Sequence, residues 1–192
     1  MFDAQIQAVS LPKRMVLLCA LLLLMCLAGP ARLDTADGIP MTLQSLVVVL
    51  MPILVGWRRG VSLVCAYLLL GGIGAPVFAG GTSGWNRFAG TTGGFLLAFP
   101  IAATAVGALA ERIRKYHALF GGLLMVSGQA IVLTLGLIWS MRISPPALSL
   151  PELVAAFLPG LLLKSGIGAM LIALTTRILR SAGQLHPELH DS

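Results

Sequence analysis

The sequence is short of charge and shorter still of acid. Seven of 192 residues are Asp or Glu and 13 are Lys or Arg, which makes 10% charged, where a soluble domain carries about 25%. No acidic residue falls between Asp37 and Glu111, so paired carboxylates for acid–base chemistry are excluded over that stretch. Histidine is as scarce: His117, His186 and His190 are the full complement. His186 and His190 have a metal-like spacing, but Pro187 lies between them in a polar tail where it opposes a helix. The cysteines, Cys19, Cys26 and Cys65, sit inside apolar runs with no metal or disulfide spacing and read as free thiols. Neither G-x-G-x-x-G nor G-K-[ST] occurs, so neither a dinucleotide fold nor a phosphate loop is supported. Apolar side chains, by contrast, are abundant, at 57% of the chain with a mean hydropathy of +0.94. A soluble body of this size would face water with Leu, Val, Ile and Ala. The composition therefore excludes a cytosolic enzyme, a disordered chain and a secreted disulfide scaffold, and it points to a bilayer.

A transmembrane helix needs roughly 20 mostly apolar residues. Cutting at the charged residues and trimming at Gly, Pro and polar clusters predicts six helices near 15–30, 41–57, 61–79, 93–110, 118–140 and 153–177, with a polar tail at 181–192. The expected architecture is an all-α integral membrane protein in one transmembrane domain spanning 1–192. The first apolar run follows Lys13-Arg14 as a signal peptide would, but it lacks an A-x-A cleavage pattern and is taken as helix one. Lys13, Arg14, Arg58, Arg59, Arg112, Arg114, Lys115, Arg177 and Arg180 fall on one side of the predicted bundle, whereas Arg32, Arg87 and Arg142 fall on the other. Positive charge stays inside, so both termini are expected in the cytoplasm of a cell-membrane protein. The net charge of +6 reflects that asymmetry and contact with anionic lipid headgroups, not nucleic acid.

Glycine and proline gather in 71–94, together with Thr82, Ser83, Trp85, Asn86, Arg87, Phe88, Thr91 and Thr92. Irregular backbone at membrane depth belongs where it is buried in protein or lines a polar cavity. The segment reads as a structured, re-entrant outer loop between helices three and four, or else as a plain turn with an interfacial Trp. Gly90-x-x-x-Gly94 fits a helix-packing motif and loop geometry equally well. Lys164 is a charge inside a predicted span, where a lysine costs about 2.5–3.5 kcal/mol by insertion scales. It either snorkels along its own stem or lines a site. Pro159 is expected in the first turn of its helix, about 8 Å before Lys164 at 1.5 Å per residue. Gln44 is either an interfacial cap or a ligand contact.

With these residues in hand, the chain resembles the BioY family, the substrate-binding membrane components of energy-coupling-factor biotin transporters. The likeness spans roughly 38–180 and rests on Pro40–Gln44, Tyr67–Gly81, Phe88–Leu96 and Pro159–Lys164. It implies a six-helix protein without catalytic activity or cofactor that takes biotin from the outer face. A transmembrane coupling protein and a pair of cytoplasmic ATPases would complete the transporter. The contacts implied are Gln44, Tyr67, Ser83, Asn86, Arg87, Thr92 and Lys164, the lysine on the carboxylate side; no metal is implied. The chain departs from the family pattern at Thr91-Thr92, at Thr82 or Ser83 where an Asn is frequent, and at Leu161 where an Asp is frequent. Two other readings stand beside it: a component for a related carboxylate-bearing vitamin or precursor, and a membrane scaffold without transport.

Overall fold

A computed structural model of the chain describes residues 10–34, 40–113, 118–144 and 149–181. His117, Arg114, Lys115, His186 and His190 lie outside them. Among the described residues there are seven α-helices: α1 (Leu11–Ala28), α2 (Gln44–Val55), α3 (Trp57–Gly72), the single turn α4 (Asn86–Ala89), α5 (Gly93–Ile113), α6 (Ala118–Ile143) and α7 (Leu150–Ser181). Four of them, α1, α5, α6 and α7, are long and apolar enough to cross a membrane, whereas α2 and α3 have 12 and 16 residues.

Three elements differ most from the sequence expectation. Helix α3 covers Trp57–Gly72 where 61–79 was expected, because Gly74, at φ 118°, and Pro76 end it and release the chain into the loop. The chain entering α2 is extended: β1 (Arg32–Asp34) pairs antiparallel with β2 (Pro40–Thr42), with Arg32 opposite Thr42. Residues 40–42 are held extended by their pairing with 32–34, so the helix expected from 41 begins at Gln44. The last helix starts earlier than expected. Ser149 donates from both its backbone N and its Oγ to Glu152 Oε2, at 2.7 and 2.6 Å, a serine–glutamate cap of the first turn. Helix α7 therefore begins at Leu150 and carries Pro159 in its interior. Lys164 stands about 21 Å into the helix at 1.5 Å per residue, not one turn from its start.

Helix α2 is the centre of the bundle, with every residue buried except Leu54. It ends at Gly56, whose φ of 89° turns the chain into α3; side chains other than glycine rarely adopt that conformation. The first amide of α3, on Trp57, donates to Glu111 Oε1 of α5 at 3.1 Å. At this end α2, α3 and α5 touch backbone to backbone: a Cβ on Gly60 would overlap Pro52, and one on Gly107 would overlap Trp57. Small residues give membrane helices this close approach. Around the centre, the outward faces of α1 and α7 keep Val16, Leu27, Leu162, Leu163, Met170 and Ile178 exposed, as lipid-facing surfaces do.

Candidate functional site

The connection from α3 to α5 folds back on the bundle and closes one end of it. Gly74, Gly80, Gly81 and Gly84 have positive φ, and the backbone is tied at short range, with Phe78 N donating to Thr82 O at 3.0 Å and Gly84 N to Gly71 O at 2.7 Å. Gly80 N also donates to Pro30 O at 3.2 Å, which joins the loop to the end of α1. Phe78, buried at 2% exposure, holds the loop down. Its ring meets Tyr67 and Phe88 edge-on, with centroids 5.9 and 5.8 Å away. On the far side, Trp139 of α6 packs against Gly94 and donates its Nε1–H to Gly90 O at 3.0 Å. Both glycines of the 90–94 pair thus meet one tryptophan.

Beneath this loop lies a cavity of about 370 Å³, within the usual range of about 300–1,000 Å³ for small-molecule sites. Its walls come from β1, β2, α2, the loop with α4, α5, α6 and α7. Phe78, Phe95, Phe99 and Phe157 supply aromatic faces, with Phe95 and Phe157 6.4 Å apart between centroids. Polar groups come from Arg32, Thr42, Gln44, Ser45, Thr82, Arg87, Thr91, Thr92, Gln129, Ser140 and Lys164. Lys164 Nζ donates to Ser45 Oγ at 2.9 Å, which joins α7 to α2 and leaves two ammonium hydrogens for other partners. Among the described residues, no carboxylate lines the cavity. The surroundings therefore suit a ligand with an apolar body and oxygen acceptors, one of which can be anionic.

Of the residues singled out from sequence, Gln44, Arg87, Thr92 and Lys164 line this cavity; Tyr67, Ser83 and Asn86 do not. Tyr67 stands behind the wall, fully buried. Its hydroxyl accepts from Gln44 Nε2 at 2.8 Å and donates to Val77 O at 2.6 Å. That arrangement fixes the Gln44 amide and leaves its oxygen as an acceptor. Ser83 is half-buried in the loop, and Asn86 is exposed at the start of α4, its amide against Gly84. Leu161, where the family pattern often carries an acid, contributes an apolar patch to the wall.

Sequence reasoning passed over Arg32, Ser45 and Gln129. Arg32 was counted only for orientation. Ser45 stands beside Gln44, whose amide is the more conspicuous polar group. Gln129 did give a signal, an amide in the middle of a span otherwise rich in Leu, Ile and Gly. Among the described residues no cluster of His, Cys, Asp or Glu has a metal-binding arrangement.

Comparison with known proteins follows this geometry. The BioY family pattern matches residues 4–181. Biotin transporter BioY of Rhodobacter capsulatus is 33% identical over 163 residues, covering 78% of this chain and 82% of that one. Biotin transporter BioY2 of Lactococcus lactis subsp. cremoris is 40% identical over 101 residues, covering 53% of this chain and 55% of its own length. The fold matches a crystal structure described as the S-component for biotin from an ECF-type ABC transporter, with a TM-score of 0.76, 20% identity, and coverage of 88% of this chain and 95% of that one. With a family match over almost the whole chain and one membrane fold shared at that coverage, this chain belongs to the BioY family.

Proposed function

We propose that this protein is the biotin-binding S component of an energy-coupling-factor transporter. In this reading it is a single transmembrane domain of six membrane-crossing helices with both termini in the cytoplasm, and the glycine-rich loop faces outward over the site. The observation that carries the reading is the loop-covered cavity with Lys164 in its wall, tied to Ser45 and facing aromatic side chains. Biotin complements that wall: its anionic carboxylate and ureido carbonyl meet the donors, and its apolar bicycle meets the aromatic faces. Gln44, Arg87, Thr92 and Lys164 contact it directly, while Tyr67, Ser83 and Asn86 position the surrounding wall and loop. The chain has no enzymatic role and needs no cofactor. Family membership supports the same conclusion, as do the relatives named biotin transporters.

Energised uptake in this reading runs through a transmembrane coupling protein and cytoplasmic ATPases, which the family match and the likeness to an ECF-type S-component support. The test is a calorimetric titration of the detergent-purified protein with biotin, run beside a search for biotin that co-purifies. Saturable binding supports the proposal. A flat titration with no retained biotin overturns it.

A further inference from the structure

Gln129 is 3% exposed, and its Nε2 has no hydrogen-bond partner. Buried amide hydrogens are almost always paired, so an orphan in a cavity wall marks a place where a partner belongs. Gln129 lines the cavity together with Lys164. The seam between α6 and α7 puts the two at one level. Gly121 packs on Ile172, Gly122 on Ala169 and Gly168 on Met125, an antiparallel register that carries 129 to 162–164. One residue beyond Lys164, Ser165 Oγ is a second buried polar atom without a partner, and Lys164 spends one of its hydrogens on Ser45 Oγ. Two buried polar atoms without a partner thus lie close to the Lys164 ammonium.

We propose that Gln129 is a ligand-binding residue, its amide donating to the acceptor oxygen of the bound vitamin that the Lys164 ammonium faces. The assignment rests on the biotin reading above and adds to it a contact on α6. One oxygen-bearing group shared by the lysine and the amide gives Gln129 Nε2 the partner that the protein itself does not supply. The acceptor has two sources in biotin, the carboxylate and the ureido carbonyl, and both present oxygen lone pairs to such donors.

The experiment titrates wild type, Gln129→Leu and Gln129→Glu with biotin, biotin amide and 2-iminobiotin, and follows the melting of each protein without ligand. Gln129→Leu is expected to weaken biotin roughly tenfold, the size of one lost hydrogen bond to a ligand. Its unliganded melting temperature should hold or rise, because a buried donor without a partner has been removed. Gln129→Glu should weaken biotin further, since it sets an acceptor against an acceptor. The analogue whose penalty relative to biotin shrinks in Gln129→Leu identifies the oxygen: biotin amide for the carboxylate, 2-iminobiotin for the ureido carbonyl. Biotin affinity within twofold of wild type in Gln129→Leu overturns the assignment and leaves the biotin reading standing. Failure of wild type to bind biotin removes both.

Discussion

Lys164 and Ser45 are 119 positions apart in the chain and 2.9 Å apart in space, Nζ to Oγ. The contact places a cation from the middle of the longest helix against the first turn of the most buried one. A snorkelling lysine would run its stem outward to the headgroups. This one turns inward, where it meets a hydroxyl and the cavity.

Replacing Lys164 with methionine keeps the stem and removes the charge. Biotin affinity is expected to fall roughly 10–150-fold, the equivalent of about 1.5–3 kcal/mol for a charge-assisted contact. Melting without ligand should hold, because a charge that is costly inside a membrane protein has gone. Titration and thermal melting of the same preparations check both halves. If biotin amide binds wild type more weakly than biotin but equals it in Lys164→Met, the lysine faces the carboxylate. An unchanged biotin affinity would place the recognition of charge at Arg32 and Arg87 instead.

Tyr67→Phe deletes a hydroxyl that serves Gln44 and Val77 at once. The Gln44 amide loses its acceptor and the Val77 carbonyl its donor, both buried. Loss of about 1–3 kcal/mol of stability is expected, together with a smaller loss of affinity through the released Gln44. Chemical denaturation in detergent measures the first and titration the second. Full affinity at full stability would show that nothing depends on this tie.

Trp139 holds α6 to the loop and to α5. Trp139→Phe removes one hydrogen bond to Gly90 and should cost about 0.5–1.5 kcal/mol. Gly94→Val is the harsher change, since even a Cβ there would overlap the tryptophan, and it should sharply reduce the yield of folded protein. Comparing the recovered monodisperse fraction of the two variants is the check. Equal yields would mean that the packing at Gly94 is easily relieved.

Orientation is testable by impermeant thiol labelling in a variant whose own three cysteines are replaced. Cysteine at Ser83 or Ser144 is expected to react from outside the cell. Reaction only after the membrane is opened would reverse the topology.

The sequence spoke most clearly where a physical requirement is stated by a single residue type. Absent charge marked the apolar helices, and glycine marked the segment whose backbone needs positive φ at Gly74, Gly80, Gly81 and Gly84. Lys164 stood out because its cost inside a span must be met by something. Less visible were the features that depend on a neighbour in space. Pro159 looked like a helix start, and only the Ser149–Glu152 cap upstream showed that the helix was already formed. That cap has a sequence signature, serine followed at the third position by glutamate, and it was there to be read. Tyr67 sat in the right stretch of chain, but its role behind Gln44 follows from how α3 faces α2, which no local pattern encodes. Gln129 became meaningful only when the wall of the cavity passed through it.

Helix α2 has 12 residues and so rises about 18 Å, against a hydrocarbon thickness of about 30 Å. A lipid-facing helix that short would force the bilayer to thin around it. Because α2 is wrapped by its neighbours, with Leu54 its only residue not fully buried, its length is matched to protein and not to lipid. The helix that begins with Gln44 and Ser45 is therefore insulated from membrane thickness. Changes in lipid chain length act first on α1, α6 and α7, and they reach those two side chains only through the helices that surround them.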